Sequence, residues 1–432
     1  MANPIRIYDD TRSLHAIGDY IMNYEAYQNA FVNALVNRIA MTLVTSRMWS
    51  NPWSMFKQGY MEFGETVEEV FANIAKPQSY DPAVAEKEIF KREIPDVRAA
   101  FHTMNYQKFY KVTIQNDQLR MAFLSWSGIT DLIARIVDTL YTGMNYDEFC
   151  VMKYMIAREI LSGQMDMTVV PAASEANYLK DTAAAMRAAS SKLTFLSSKY
   201  NRAGVYNATD RDRQYVIIDS DFEANMDVDV MAVAFHMERT DFLGRLVIVD
   251  SWADHDLARL AEIFENDSTY TPFTSGEITA LGKIHGVIVD RDWWMVFDNF
   301  QQMTENYNGQ GLYWNYWLHV WKTFSVSPFA NATVFTESEG TVSSITVSPA
   351  TATVAKNASA QFAATVSGSG IYYQGVKWSV SGANSSETRI DEWNGQLFVG
   401  SDETASALTV TATSVAKPSV TGTATVTVSS GF

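Results

Sequence analysis

Apolar residues recur at helical spacing in the first part of the chain and at every second position near its C-terminal end. Over 26–49, Tyr27, Phe31, Leu35 and Ile39 stand four apart beside Val32, Val36 and Leu43, which predicts an amphipathic helix. Residues 128–142 predict a second helix. A third follows in NYDEFCVMKYMIAREILSG, with Asn145 or Asp147 as N-cap, Phe149, Met152, Ile156 and Ile160 along one face, and Gly163 where a C-terminal stop belongs.

Between Asn51 and Asp117 neither period holds. Scattered aromatics, strand-like ends and prolines surround a charge-rich centre, YDPAVAEKEIFKREIPDVRA, with no continuous face for a compact core. The pattern allows a projecting arm that covers another molecule or a solvated helix and loop. Later, YVIID, RLVIVDSW and HGVIVDRDWWMVFDN predict strands, and MDVDVMAVAFHM a short helix opened by Asp227. LYWNYWLHVWKTFSVSPFANATVF predicts mostly strand. Tyr313, Asn315, Trp317, His319 and Trp321 alternate with Trp314, Tyr316, Leu318 and Val320, so both faces need cover.

From Ser343 the alternation becomes regular: Ile345 and Val347, Phe362 to Val366, Val376 to Val380, Leu397 and Val399, Leu408 to Ala412, Val426 and Val428. Gly and Asn clusters separate these runs, and Trp378 sits in a central one. Short, evenly spaced strands with a central tryptophan predict an immunoglobulin-like sandwich over 342–432. Composition shifts with the pattern. From Val342 onward 4 Lys and Arg face 5 Asp and Glu, a balance of −1, so −15 of the total −16 belongs to the first 341 residues.

That acidity opposes the basic stripe needed to neutralise nucleic-acid phosphates. The acidic start MANPIRIYDD lacks the apolar run of a signal peptide, and the interrupted apolar stretches are too short for membrane spans, so a soluble protein made in the cytoplasm is expected. Cys150 is the single cysteine; neither an internal disulfide nor a cysteine-based zinc site can form. It falls in an apolar helix as an inert core thiol.

Several acids are placed where chemistry could occur. Asp290, Asp292 and Asp298 flank Trp293 and Trp294, as glycosidase carboxylates beside sugar-stacking rings would, but acids two apart at a strand start commonly stand at a solvated rim. DSDFEANMDVD has five acids, yet Ala224 and Val230 stand where an EF-hand needs Gly and Glu, and helix capping by Asp227 and Asp229 is the better reading. His15, His102, His236, His255, His285 and His319 show no metal-ligand spacing. Neither a phosphate-binding glycine loop nor a nucleophile elbow occurs. Catalytic, cofactor and metal residues are therefore expected to be none.

The stretches at 218–244 (IDSDFEANMDVDVMAVAFHMERTDFLG), 287–299 (VIVDRDWWMVFDN), 311–332 (GLYWNYWLHVWKTFSVSPFANA) and 78–102 (QSYDPAVAEKEIFKREIPDVRAAFH) closely resemble the major capsid proteins of short-tailed phages of the phi29 type. ITVSPATATVAKNASAQF, VKWSV, GQLFVG and LTVTATS resemble the bacterial immunoglobulin-like group 2 domain. The first resemblance implies an α+β Hong Kong 97-type capsid fold over 1–341: an N-terminal arm, an extended loop at about 51–115, a peripheral domain with a spine helix at about 147–162, and an axial domain at about 167–308. An all-β immunoglobulin-like sandwich would follow over 342–432.

The implied function is a non-enzymatic subunit that assembles with itself through pentamers and hexamers into an icosahedral head shell. The implied partners are a scaffold protein, a portal or connector at one vertex, and packaged DNA enclosed without sequence-specific binding. The virion, with assembly in the host cytoplasm, is the expected location, and the outer domain would brace neighbours or touch the host surface. Glu86, Lys87, Glu88, Lys91, Arg92 and Glu93 mix both signs within the extended loop and are the candidate inter-subunit contacts. No lysine–asparagine pair stands out for covalent cross-linking. The competing reading is a carbohydrate-active enzyme or surface adhesin carrying an accessory immunoglobulin-like module.

Overall fold

The computed structural model describes residues 49–62, 65–75, 95–115, 126–225 and 245–429, with the backbone alone for 126–137. The predicted helices at 26–49 and after Asp227, and the charged loop residues Glu86, Lys87, Glu88, Lys91, Arg92 and Glu93, lie outside the described residues, apart from Trp49 itself. The chain divides into two compact units. One comprises Met1–Thr66, Thr103–Val151 and Val296–Phe324; the other comprises Val67–His102, Met152–Met295 and Ser325–Phe432.

In the first unit, strands lie in the order Gly59–Tyr60, Trp294–Asn308, Tyr313–Val326, Tyr106–Gln115. The turn between the two long strands is held by Asn308, whose Oδ1 accepts from the backbone N–H of Gln310 at 3.1 Å and Gly311 at 2.9 Å. Strand Tyr106–Gln115 runs antiparallel to Tyr313–Val326, with Val112 opposite Tyr316 and Tyr106 opposite Lys322. The predicted alternation is present: Trp314, Tyr316, Leu318 and Val320 are buried, while Tyr313, Asn315, Trp317, His319 and Trp321 are half-buried. Within the stretch expected to project, Trp53, Phe56, Met61, Tyr106 and Ile114 are core residues.

One continuous helix, Trp126–Leu161, replaces the two expected around a break. Neither Asn145 nor Asp147 caps it, because distant partners take both side chains. Asn145 Nδ2 donates to Trp49 O at 3.1 Å, and Asp147 Oδ2 accepts from the Tyr110 hydroxyl at 2.7 Å. Gly163 does end the helix, with φ of 67° and its N–H donating to Ile160 O at 3.0 Å. This left-handed position favours glycine.

The second unit is built on a mixed five-stranded sheet: Asp166–Val169, Ala332–Thr336, Ile284–Asp290, Gln214–Asp219, Leu246–Val249. Every residue of its middle strand, Ile284–Asp290, is buried. Helix Tyr178–Leu193 covers one face by packing Met186, Ala189 and Leu193 with Val216, Ile218, Ile288 and Phe335. Gly286 gives the helix room, since a Cβ there would stand 2.8 Å from Met186 Cε.

The residues after Thr341 form nine strands with their own core, in which Val342, Phe362, Trp378, Leu397, Val410 and Val426 are buried. The same unit joins this all-β segment to the end of the long helix. Gln374 N donates to Gly163 O at 2.9 Å, and the Tyr373 hydroxyl donates to Lys199 O at 2.9 Å. Lys199 is also ion-paired with Asp166 at 2.9 Å.

Candidate assembly surface

Val67–Ala72 and Val97–His102 form a two-stranded antiparallel ribbon, with Val67 opposite His102 and Ala72 opposite Val97. Because strand side chains alternate, one side carries Glu69, Phe71, Arg98, Ala100 and His102, and the other Glu68, Val70, Ala72, Val97, Ala99 and Phe101. The first side anchors the ribbon. Phe71 stacks on Phe329 at 5.5 Å, Glu69 Oε1 accepts from the Ser327 hydroxyl at 2.7 Å, and His102 Nδ1 lies 2.8 Å from Ser325 Oγ. The second side faces solvent, leaving Val70 57%, Val97 53% and Phe101 64% exposed. Among the described residues nothing covers this face, which leaves an apolar strip open on the ribbon. The six predicted contact residues belong to the segment joining these two strands. The sequence signal had drawn attention to that segment's charges and missed the apolar strip beside it.

A second cluster lies in the other unit. Glu148 and Lys322 are each 3% exposed and ion-paired. Lys322 Nζ also lies 2.8 Å from Asp298 Oδ1, while Lys57 Nζ reaches Glu148 Oε2 at 3.1 Å and Asp298 Oδ2 at 2.5 Å. Asn51, itself 3% exposed, donates from Nδ2 to Glu148 Oε1 at 2.7 Å. Two cations thus face two anions. Burial alone would lower the Lys57 pKa, but Glu148 and Asp298 outweigh it and raise it; burial would raise Asp298, but Lys322 and Lys57 outweigh it and hold it down.

Of the two acids expected at a solvated rim, Asp292 stands there with its side chain 40% exposed, but Asp290 does not. Asp290 is 4% exposed at the end of the fully buried strand. Its Oδ2 accepts from the Thr209 hydroxyl at 2.8 Å, and its Oδ1 pairs with Arg213 at 3.1 Å. Asp292 shares that guanidinium at 2.5 Å. Both carboxylates are therefore tied to one arginine within a structural network, and Asp298 belongs to the separate cluster above. Asp219 Oδ1 accepts from Phe222 N at 2.9 Å at the start of the short helix Ser220–Asn225. Cys150 is buried, and among the described residues no three His, Cys, Asp or Glu side chains group as metal ligands.

Comparisons with known proteins agree on one group. The family model for the Phi29-like phage major capsid protein matches residues 8–336, ending before the first strand of the all-β segment. The major capsid protein of Bacillus phage B103 is 36% identical over 372 residues, spanning 84% of this chain and 75% of that protein. That of Bacillus phage PZA is 35% identical over 339 residues, spanning 78% and 70%. Among solved structures, the capsid structure of Staphylococcus phage Andhra aligns with a TM-score of 0.52 at 15% identity, over 68% of this chain and 86% of that one, a likeness of fold.

Proposed function

The chain belongs to the Phi29-like phage major capsid protein family, and from that premise we propose that it assembles with itself, through pentamers and hexamers, into the icosahedral head shell of a tailed phage. Its function is that of a major capsid protein, and its place is the virion capsid. In this reading the subunit has a Hong Kong 97-type arrangement. The helix Trp126–Leu161 is its spine, the five-stranded sheet belongs to its axial domain, and the ribbon Val67–His102 is the root of its extended loop. The all-β segment is an immunoglobulin-like group 2 domain on the outer surface. Assembly proceeds in the host cytoplasm around a scaffold protein, with a portal at one vertex and DNA enclosed without sequence-specific binding. No catalysis is assigned.

The observation that carries the assembly reading, beyond the family, is the solvent-facing strip of Val70, Val97 and Phe101. A heterologous contact repeated around rings needs a surface on each subunit that its own core does not use. Burying one such side chain in a neighbour contributes about 1.5–3 kcal/mol. Replacing Val70 and Phe101 together by Asp should leave the subunit folded by circular dichroism while electron microscopy finds neither rings nor shells. Shells formed at the normal yield would remove the ribbon from the assembly interface.

A further inference from the structure

We propose that the all-β segment controls how firmly the ribbon is held, through the loop 199–206 that both of them grip. From the all-β segment, the Tyr373 hydroxyl donates to Lys199 O at 2.9 Å, and Trp393 lies over Gly204, where a Cβ would stand 3.4 Å from Trp393 Cβ. From the ribbon, Arg98 Nη1 donates to Ala203 O, and Asn73 Oδ1 accepts from Tyr206 N at 3.1 Å. Ala203 and Gly204 are neighbours in the chain, so a single peptide unit separates the two grips.

The loop is stiff enough to pass a displacement on. Asn201, itself buried, closes it: Nδ2 donates to Val205 O at 2.8 Å, and Oδ1 accepts from Val205 N at 2.9 Å. The same amide reaches Asn331 Oδ1 at 3.0 Å. Gly204, at φ of 62°, turns the loop without a side chain that would push Trp393 away. On the ribbon's side, Arg98 is fixed by both oxygens of Asp96, at 3.2 and 3.0 Å, and Asn73 Nδ2 donates to Asp96 Oδ2 at 3.2 Å. These contacts lie at the end of the ribbon away from the Val67–His102 pair, next to Val97 of the apolar strip.

Two groups held on one packed, hydrogen-bonded element are coupled when that element must shift for either to leave, and such coupling acts in both directions. Seating the all-β segment fixes Lys199 and Gly204, and with them the carbonyl and N–H that hold Arg98 and Asn73. Unseated, it leaves the loop free to move with the ribbon. The strip is therefore presented in one geometry only after a separate core, that of the all-β segment, has folded and docked. That the strip meets a neighbouring subunit rests on the assembly reading above; the coupling itself is a property of one chain.

Hydrogen exchange of the full-length, unassembled chain, read by mass spectrometry, tests it. Trp393→Ala, on one side of the loop, and Arg98→Met, on the other, should each speed exchange on both sides by at least about threefold. The peptides to follow are 67–73 and 96–102 in the ribbon, and 372–376 and 391–395 in the all-β segment. Peptides from the central strand Ile284–Asp290 should keep the wild-type rate. An effect confined to the mutated side, or none at all, overturns the proposal. Where 284–290 also speeds up, Tyr373→Phe, which removes a single hydroxyl, decides by the same comparison. Exchange is read before any shell forms, so failure of the assembly reading would leave a measured coupling standing, and absence of coupling would leave the assembly reading intact.

Discussion

Asp290 and Glu403 are both buried acids, and both are surrounded by hydrogen-bond donors. Asp290 has Arg213 and Thr209; Glu403, fully buried in the all-β segment, has no cation but five donors. Its carboxylate accepts from the Thr388 hydroxyl at 2.6 Å and from the backbone N–H of Asn384 and Ala405 at 2.9 Å, Thr404 at 3.0 Å and Ser385 at 3.4 Å. Burial pushes the acid up, but these hydrogen bonds to the charged form outweigh it and bring the pKa from 4.5 to about 2. A folded-state pKa below the unfolded one stabilises the fold in full above the unfolded value and is lost as pH falls through the folded one. Glu403→Gln should therefore melt below the wild type at neutral pH, and the gap in Tm should close between pH 4.5 and 2. A gap that stays constant over that range would mean that ionisation of Glu403 contributes nothing. Neither acid's role was legible in sequence. Donors from 384–388 meet Glu403 only through the fold, and Asp290 reads as a rim acid until Thr209 and Arg213 are seen to close over it.

At the scale of elements, period was the reliable guide and interruption was not. The alternation in 313–321 separates the buried from the half-buried residues of that strand, and the alternating positions after Ser343 supply much of the C-terminal core. The break expected between 142 and 147 came from Asn145 and Asp147, which favour helix ends in isolation. The helix runs through them because Tyr110 and Trp49 O satisfy the polar side chains from elsewhere. Sheet order was equally out of reach, since the five-stranded sheet places Asp166–Val169 beside Ala332–Thr336. Gly163 was read correctly as a stop, but its second task was not visible. A Cβ there would collide with Tyr372 O and come within 2.8 Å of Gln374 Cγ, so the same residue that ends the helix also seats the loop of the all-β segment. Gly163→Ala should cost about 1–3 kcal/mol, from the left-handed backbone and the displaced loop together. Limited proteolysis should then cut faster near Tyr372–Gln374. Unchanged stability and cleavage would show that the loop is not seated there.

At the scale of the whole molecule, charge and apolar surface divide the work of assembly between range and contact. The first 341 residues carry −15 of the −16, so identical subunits repel one another at long range. Close association must overcome that repulsion locally. Val70, Val97 and Phe101 offer apolar area, and the segment that joins the ribbon strands offers Lys87, Lys91 and Arg92 among Glu86, Glu88 and Glu93. Each exposed ion pair contributes about 0–1 kcal/mol, too little to hold two subunits but enough to fix register when every subunit repeats it. Reversing Lys91 and Arg92 together to Glu replaces two of the three local positive charges by negative ones and adds to the general repulsion. Folding of the isolated subunit should be unaffected, and its melting temperature checks that. Shell yield should fall at low salt and recover partly as ionic strength rises, because screening at 0.1 M acts within about 10 Å and weakens the added repulsion as well as the lost attraction. The two contributions separate in the residue: repulsion alone would be fully relieved by salt, whereas a lost register contact would leave a deficit at every salt concentration. Yield equal to wild type throughout, by electron microscopy and sedimentation, would reduce these charges to a solvated face and leave the apolar strip to make the contact.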